Sequence, residues 1–293
     1  LPTLEQLTND PRYFPYRYGQ ALWAYIGGTW GDDVIPRIFR AALDLGWEKA
    51  VDTNLGVSAD TLSARWHEAI RSAYAPTVAS RAGPDSVGRG IIVAKGRGEQ
   101  NISPAVSPDG RYMAYFSSRG LFGIDLYVAE VATGRVIRQL TSVTRDAHFD
   151  ALSFISSAGS WSPDGLRLAF VVYAQGDQEI NIVEVASGDV ERRIAVDGVT
   201  AMSDPAWSPD GRRLAFTGFK GGISDLYVYD LMSGRAQQLT NDREAQLQPT
   251  WSPDNTLLAF ATDADETTSF RTLAYAPMRL AIIPAAGGRV QLL

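Results

Sequence analysis

The chain has 293 residues, of which 45% are hydrophobic and 20% charged, with a net charge of −6. That length accommodates about two domains, and the composition is globular rather than disordered. The acidic balance argues against a nucleic-acid binder or a polybasic membrane-surface binder, and the absence of cysteine removes disulfides, thiolate metal sites and a cysteine nucleophile.

Two histidines, His67 and His148, would both be needed for even a minimal imidazole zinc set. No apolar run approaches the roughly 18 residues of a membrane span. The opening Leu1-Pro2-Thr3 has neither Met nor a signal pattern, so the chain reads as a processed or excised piece.

Residues 1–76 have helical spacing. Tyr18, Ala21, Leu22, Tyr25 and Ile26 make one apolar stripe, which Gly27-Gly28 is expected to stop. Asp32 or Asp33 is positioned to cap the next helix, with Pro36 in its first turn, Ile35, Ile38, Phe39 and Ala42 on its apolar face and Gly46 at its end. A short helix follows over Trp47–Leu55. Ser58 then caps a helix carrying Leu62, Trp66, Ile70 and Ala73, with Pro76 beyond its end. Residues 77–87, with a proline, a glycine and small polar residues, read as a linker.

Residues 88–293 repeat themselves. Ser107-Pro108-Asp109-Gly110 recurs as Ser162-Pro163-Asp164-Gly165, Ser208-Pro209-Asp210-Gly211 and Ser252-Pro253-Asp254-Asn255. A β-prone run follows each copy, then a second run, a glycine turn and a last short run. Proline sets φ at the second turn position, aspartate bonds nearby backbone, and glycine or asparagine accepts the exit geometry. Four short strands per unit is the arithmetic of a propeller blade. Blades are expected at 88–141, 142–196, 197–240 and 241–293, with an insertion near 146–159. Trp161, Trp207 and Trp251, with Val106 in the first copy, stand at one fixed place and read as packing between blades. The fold class is thus multidomain, α plus all-β: a small N-terminal helical segment before a partial β-propeller of about four four-stranded blades.

The run Pro205 to Phe216, with Asp225-Leu226-Tyr227-Val228-Tyr229-Asp230 and Gln238-Leu239-Thr240, resembles the TolB-type, WD-like propeller repeat. Such propellers close with six or more blades, so the resemblance implies a chain continuing past Leu293, and an open array implies two bare apolar faces. The helical part, from Tyr16-Arg17-Tyr18 through Trp30-Gly31, Gly56-Val57-Ser58 and Trp66, is similar to the end of peptidase-MA-like gluzincin domains. That resemblance implies a zinc-binding His-Glu-x-x-His helix upstream of Leu1. It further implies an exported bacterial protein, linked in some cases to an outer-membrane barrel.

Within the chain no catalytic, cofactor or metal residues are expected. His67-Glu68-Ala69-Ile70-Arg71 misses the zinc motif because Arg71 cannot ligate, so His67 and Glu68 read as a solvated helix face. No Gly-x-Ser-x-Gly elbow is present, and Lys95-Gly96-Arg97-Gly98 lacks a Walker ending. Asp263-Ala264-Asp265-Glu266 reads as an exposed loop, with weak calcium affinity as the lesser alternative. Tyr18 and Tyr25 either pack in the helical core or face a metallopeptidase active site. The functional expectation is a non-catalytic scaffold for proteins or peptides in the bacterial periplasm or envelope. Its contacts would come from loops bearing Arg119, Phe122, His148, Phe149, Lys220, Asp265 and Arg271. The alternative is a portion of a zinc metallopeptidase, with zinc belonging to the parent protein and not to this chain.

Overall fold

The computed structural model describes residues 1–10, 13, 15–93, 99–120, 123–142, 151–152, 159–174 and 176–293. Most of the expected insertion, together with Phe122, His148 and Phe149, lies outside the described residues. The chain divides into two compact units, Leu1–Gly90 and Ile91–Leu293.

The first unit is helical: α1 (Leu4–Asn9), α2 (Pro15–Trp30), α3 (Val34–Leu45), α4 (Trp47–Leu55), α5 (Ala59–Ala79) and α6 (Pro84–Val87). Leu22 and Ile26 of α2 meet Val34 and Ile38 of α3, Val51 and Leu55 of α4, and Leu62 and Trp66 of α5 in one buried core. Helix α5 starts as the sequence implies, with the Ser58 hydroxyl accepting the Thr61 N–H at 3.2 Å. Four local expectations are corrected. Helix α2 does not stop at Gly27-Gly28 but runs to Trp30, because burying Ile26 and packing Tyr25 against Trp30 outweigh the roughly 1 kcal/mol that each helical glycine costs. Asp33 sits at the start of α3 without capping it. The first amides of α3 bond instead to the Gly31 and Asp32 carbonyls, at 3.3 and 3.1 Å. Helix α5 passes through Pro76 to Ala79, and residues 77–79 are therefore helix rather than linker. Residues 71–80 are all exposed, so the one carbonyl that loses its N–H donor is open to water. Finally, His67 is no freely solvated group: its Nε2–H donates to the Pro2 carbonyl at 2.7 Å, which ties down the segment entering α1.

The second unit consists of four antiparallel sheets in chain order. Blade 1 is β1 (Asn101–Val106), β2 (Tyr112–Ser117), β3 (Asp125–Glu130) and β4 (Val136–Gln139). Blade 2 begins with two short pieces, β5 (Ala151–Leu152) and β6 (Ser160–Trp161), both paired to β7 (Arg167–Ala174), and continues with β8 (Asp177–Glu184) and β9 (Val190–Ile194). Blade 3 is β10 (Ala201–Trp207), β11 (Arg213–Lys220), β12 (Ile223–Asp230) and β13 (Arg235–Gln238). Blade 4 is β14 (Gln246–Trp251), β15 (Leu257–Thr262), β16 (Arg279–Pro284) and β17 (Gln291–Leu292). The first strands lie against one another in succession, β1 on β6, β6 on β10 and β10 on β14, and form the inner wall.

Each proline turn uses the same bonds. In blade 1 the Ser107 hydroxyl donates to Asp109 Oδ1 at 2.6 Å and accepts the Tyr112 N–H at 2.9 Å, while Asp109 Oδ1 accepts the Arg111 N–H at 3.0 Å. Ser162/Asp164, Ser208/Asp210 and Ser252/Asp254 repeat this set. The fourth turn residue has positive φ in every copy, 71°, 70°, 70° and 64° for Gly110, Gly165, Gly211 and Asn255, which is why only glycine or asparagine stands there.

Three kinds of contact lock neighbouring blades. Apolar side chains interleave, as where Phe116, Leu126 and Val128 meet Trp161, Leu168 and Phe170. Indole N–H groups reach back, Trp161 to the Ala105 carbonyl at 2.9 Å and Trp251 to the Ala206 carbonyl at 3.0 Å. At the rim, Arg138 donates to the Ser187 carbonyl at 2.8 Å, Arg192 to Leu231 at 2.7 Å and Gln237 to Ala286 at 3.1 Å. The expectation of two bare array faces is corrected on blade 1, whose Met113, Tyr115, Tyr127 and Ala129 are covered by Ile91 and Ile92. On the far face of blade 4, Leu280 is exposed.

Candidate functional site

Strand order alone sorts the loops. In a four-stranded meander the turn between strands two and three shares an end with the connection to the next blade, and the proline turns lie at the other end. Arg119, Asp265 and Arg271 sit on turns between second and third strands, and Lys220 ends the second strand of blade 3 at such a turn. The structure therefore gathers them at one end of the array.

Buried polar clusters hold that end. The Asp225 carboxylate accepts the Thr240 hydroxyl at 2.9 Å and the Gln238 amide at 3.0 Å, and Thr240 Oγ1 accepts the Leu226 N–H at 2.9 Å. Asp125, Thr141 and Gln139 form the same cluster in blade 1, with bonds of 3.3 and 3.1 Å to the carboxylate. Burial pushes the Asp225 carboxyl above its ordinary value, against the Thr240 and Gln238 hydrogen bonds. Asp225 and Gln238-Leu239-Thr240 are visible in the sequence as recurring residues, but their pairing across the sheet is not.

The loops differ in reach. Lys220 flanks a tight turn through Gly221 and Gly222. Arg119 is exposed, with its guanidinium 5.6 Å from the Tyr127 ring centre. Blade 4 carries the long excursion, 263–278, and it is internally bonded. Ser269 and Ala274 exchange backbone bonds of 2.7 and 3.1 Å, and the Thr268 hydroxyl donates to the Asp263 carbonyl at 2.6 Å. Phe270 packs edge-on to Tyr275 and lies 5.9 Å from the Arg243 guanidinium. The loop carboxylates are engaged: Asp263 Oδ1 accepts the Ala245 N–H at 2.6 Å, and Asp265 accepts the Thr267 N–H and Arg279 at 2.9 and 2.8 Å. The Thr267 amide and hydroxyl, then Arg279, hold the Asp265 carboxyl below its ordinary value. Arg271, Leu273, Tyr275 and Met278 remain exposed at the surface of this hairpin.

The inner wall adds residues that the sequence reading passed over. Ser103, Asp204 and Gln248 have φ of 52°, 53° and 55°, each just before a proline and each where the first strand shifts register against the second. Left-handed backbone in a non-glycine residue is costly and concentrates where a side chain must be re-aimed. The available signal is a polar residue followed by proline, the polar residue four positions ahead of the turn serine in three of the repeats.

Tyr18 and Tyr25 lie on α2, half-buried against the helical core, Tyr18 edge-on to Tyr13 and Tyr25 edge-on to Trp30. Among the described residues no three His, Asp or Glu side chains cluster as a metal set.

Comparison with known proteins agrees with the second unit. The family model of the TolB beta propeller domain, PD40, matches residues 153–270. The Tol-Pal system protein TolB of Desulfosudis oleivorans is 36% identical over 94 residues, which are 32% of this chain and 18% of that protein. The crystal structure of TolB from Acinetobacter baumannii superposes with a TM-score of 0.52 at 26% identity, over 67% of this chain and 43% of that one. A putative TolB from Agrobacterium tumefaciens, 18% identical, shares the fold with a TM-score of 0.51 over 65% of this chain and 63% of its own. The chain thus spans less than two thirds of each of these relatives. With its repeated turns, blade order and inter-blade bonds, the second unit comprises four blades of a TolB-like β-propeller.

Proposed function

We propose that this propeller is a non-catalytic scaffold that docks a protein or peptide at the end bearing Arg119, Lys220 and the 263–278 hairpin. The hairpin carries the reading. It is held by its own hydrogen bonds and ring contacts, yet it leaves Leu273, Tyr275 and Met278 in solvent beside Arg271. Ordered, exposed apolar groups on a rigid scaffold are the usual form of a recognition loop. Ser103, Asp204 and Gln248 add polar groups on the first strands of blades 1, 3 and 4. The likeness to TolB-type propellers supports a bacterial envelope location. No helix among the described residues is long and apolar enough to cross a membrane. The metallopeptidase alternative rests on residues 1–76 alone, and the core packing of Tyr18 and Tyr25 gives it no support.

The test places a photo-crosslinking amino acid at Tyr275, at Lys220, or at Met232, which is 87% exposed on a turn at the opposite end. With envelope extract of the source bacterium, Tyr275 and Lys220 should yield discrete protein adducts that Arg271→Glu diminishes, and Met232 should yield none. Equal labelling from both ends, or none from either, overturns the reading.

A further inference from the structure

Helix α3 of the first unit has a second apolar face. Val34 and Ile38 are buried in the helical core, whereas Phe39 and Leu43, one turn apart, are 67% and 76% exposed. One turn back from Leu43, a shallow cavity of about 490 Å³ is lined by Trp23, Ile35, Pro36, Phe39 and Arg40. A second, almost wholly apolar cavity of about 330 Å³ adjoins it through Trp23 and Phe39. An exposed apolar strip of this kind marks an interface. Arg40 and Asp44 run along one flank of the strip, four residues apart and both exposed. Neither has an ion-pair partner among the described residues, and they do not pair with each other.

We propose that α3 docks antiparallel on α3 of a second copy of this chain. The charge pattern selects that occupant. Arg40 and Asp44 lie equally far on either side of residue 42, so a two-fold axis beside that residue sets Arg40 of each copy opposite Asp44 of the other. The same axis sets Leu43 level with residue 41 of the second copy, between its Phe39 and Leu43, a knob entering the hole that Phe39, Arg40 and Leu43 make on the exposed strip. Trp23 then closes the side of that hole. A helix of unrelated sequence would satisfy the apolar strip but has no reason to match a cation and an anion at this spacing.

Sedimentation of the whole 293-residue chain from about 1 to about 100 μM tests this. A monomer–dimer equilibrium is expected. Leu43→Glu should abolish it while leaving unchanged a circular dichroism melt run below the dimer Kd, where the side chain is in solvent. Arg40→Glu and Asp44→Lys should each raise the dimer Kd at least about tenfold, and the double swap should restore it to within about threefold. A monomer at every concentration overturns the proposal. So does a dimer indifferent to Leu43→Glu, which would place association on another surface such as the far face of blade 4. Failure of the double swap to recover the single losses also overturns it.

Discussion

The side-chain oxygen of Asn255 accepts the backbone N–H of Asp210 at 3.0 Å, joining the proline turn of blade 4 to that of blade 3. Asparagine does two things at this position. It tolerates φ of 64°, and it makes a bond that the glycines of the other turns cannot. Asn255→Ala loses both and should cost about 2 kcal/mol, whereas Asn255→Gly loses the bond alone and should cost about 1 kcal/mol. Thermal melts of the propeller transition decide it. Equal losses would mean that the left-handed conformation carries no cost here.

The tryptophans between blades should not be equivalent. Trp161 and Trp251 donate to carbonyls of the preceding blade, whereas the buried Trp207 indole N–H has no hydrogen-bond partner among the described residues. Replacement by phenylalanine keeps much of the ring packing and removes the N–H. Denaturant titration should show Trp251→Phe and Trp161→Phe losing about 1 kcal/mol more than Trp207→Phe, where a buried donor without a partner disappears. The reverse order would remove the indole bonds from the account of blade docking.

Acid sensitivity follows from the turns. Hydrogen bonds from the Ser107 hydroxyl and the Arg111 amide hold the Asp109 carboxyl below its ordinary 3.8. The Ser252 hydroxyl, then the Thr256 hydroxyl and amide, do the same for Asp254. A carboxyl lowered in the folded state stabilises above its unfolded value and loses that contribution as pH falls through its folded value. The stability gap between the native chain and Asp109→Asn should therefore be full at neutral pH and shrink as pH falls below about 4. A gap independent of pH would show that the carboxylate charge is immaterial to the turn. Asp225, raised by burial, acts in the opposite sense, its ionised form being less favoured in the folded chain than in the unfolded one.

Gly218 is required by a ring. A Cβ at this position would stand 2.7 Å from Cδ2 and Cε2 of Tyr227, which stacks on Phe216 at 5.5 Å. Gly218→Ala should destabilise the propeller by about 1–3 kcal/mol through overpacking. In the Tyr227→Ala background the same change should cost clearly less, with Val199 Cγ1 at 3.1 Å left to give way. Additive losses in that double-mutant cycle would contradict the contact.

Period and punctuation made the propeller legible. Ser-Pro-Asp-Gly names a turn by local chemistry, and its recurrence places four sheets before any tertiary contact is known. What stayed hidden depends on partners distant in sequence. Asn181 and Tyr227 hold equivalent strand positions, paired to Phe170 and Phe216, and nothing local distinguishes their surroundings. Gly27-Gly28 mislead for the same reason, since the burial of Ile26 overrides their local propensity to end a helix. At Pro76 the cause is local instead: the helix end is fully exposed, and water satisfies the carbonyl left without a donor. The strained residues Ser103, Asp204 and Gln248 are legible only as a polar residue before proline, and the sign of φ is set by the register shift against the second strand.

The chain has no cysteine, so its blade order can be read directly by pairwise crosslinking. Cysteines replacing Arg138 and Ser187, Arg192 and Leu231, or Gln237 and Ala286 occupy rim sites that bond between successive blades. A short bis-maleimide should join each of these pairs within one chain and should not join Arg138 with Leu231 or Arg192 with Ala286, which skip a blade. Efficient crosslinks in the skipping pairs, or none in the neighbouring ones, would contradict a fan of blades set side by side in chain order.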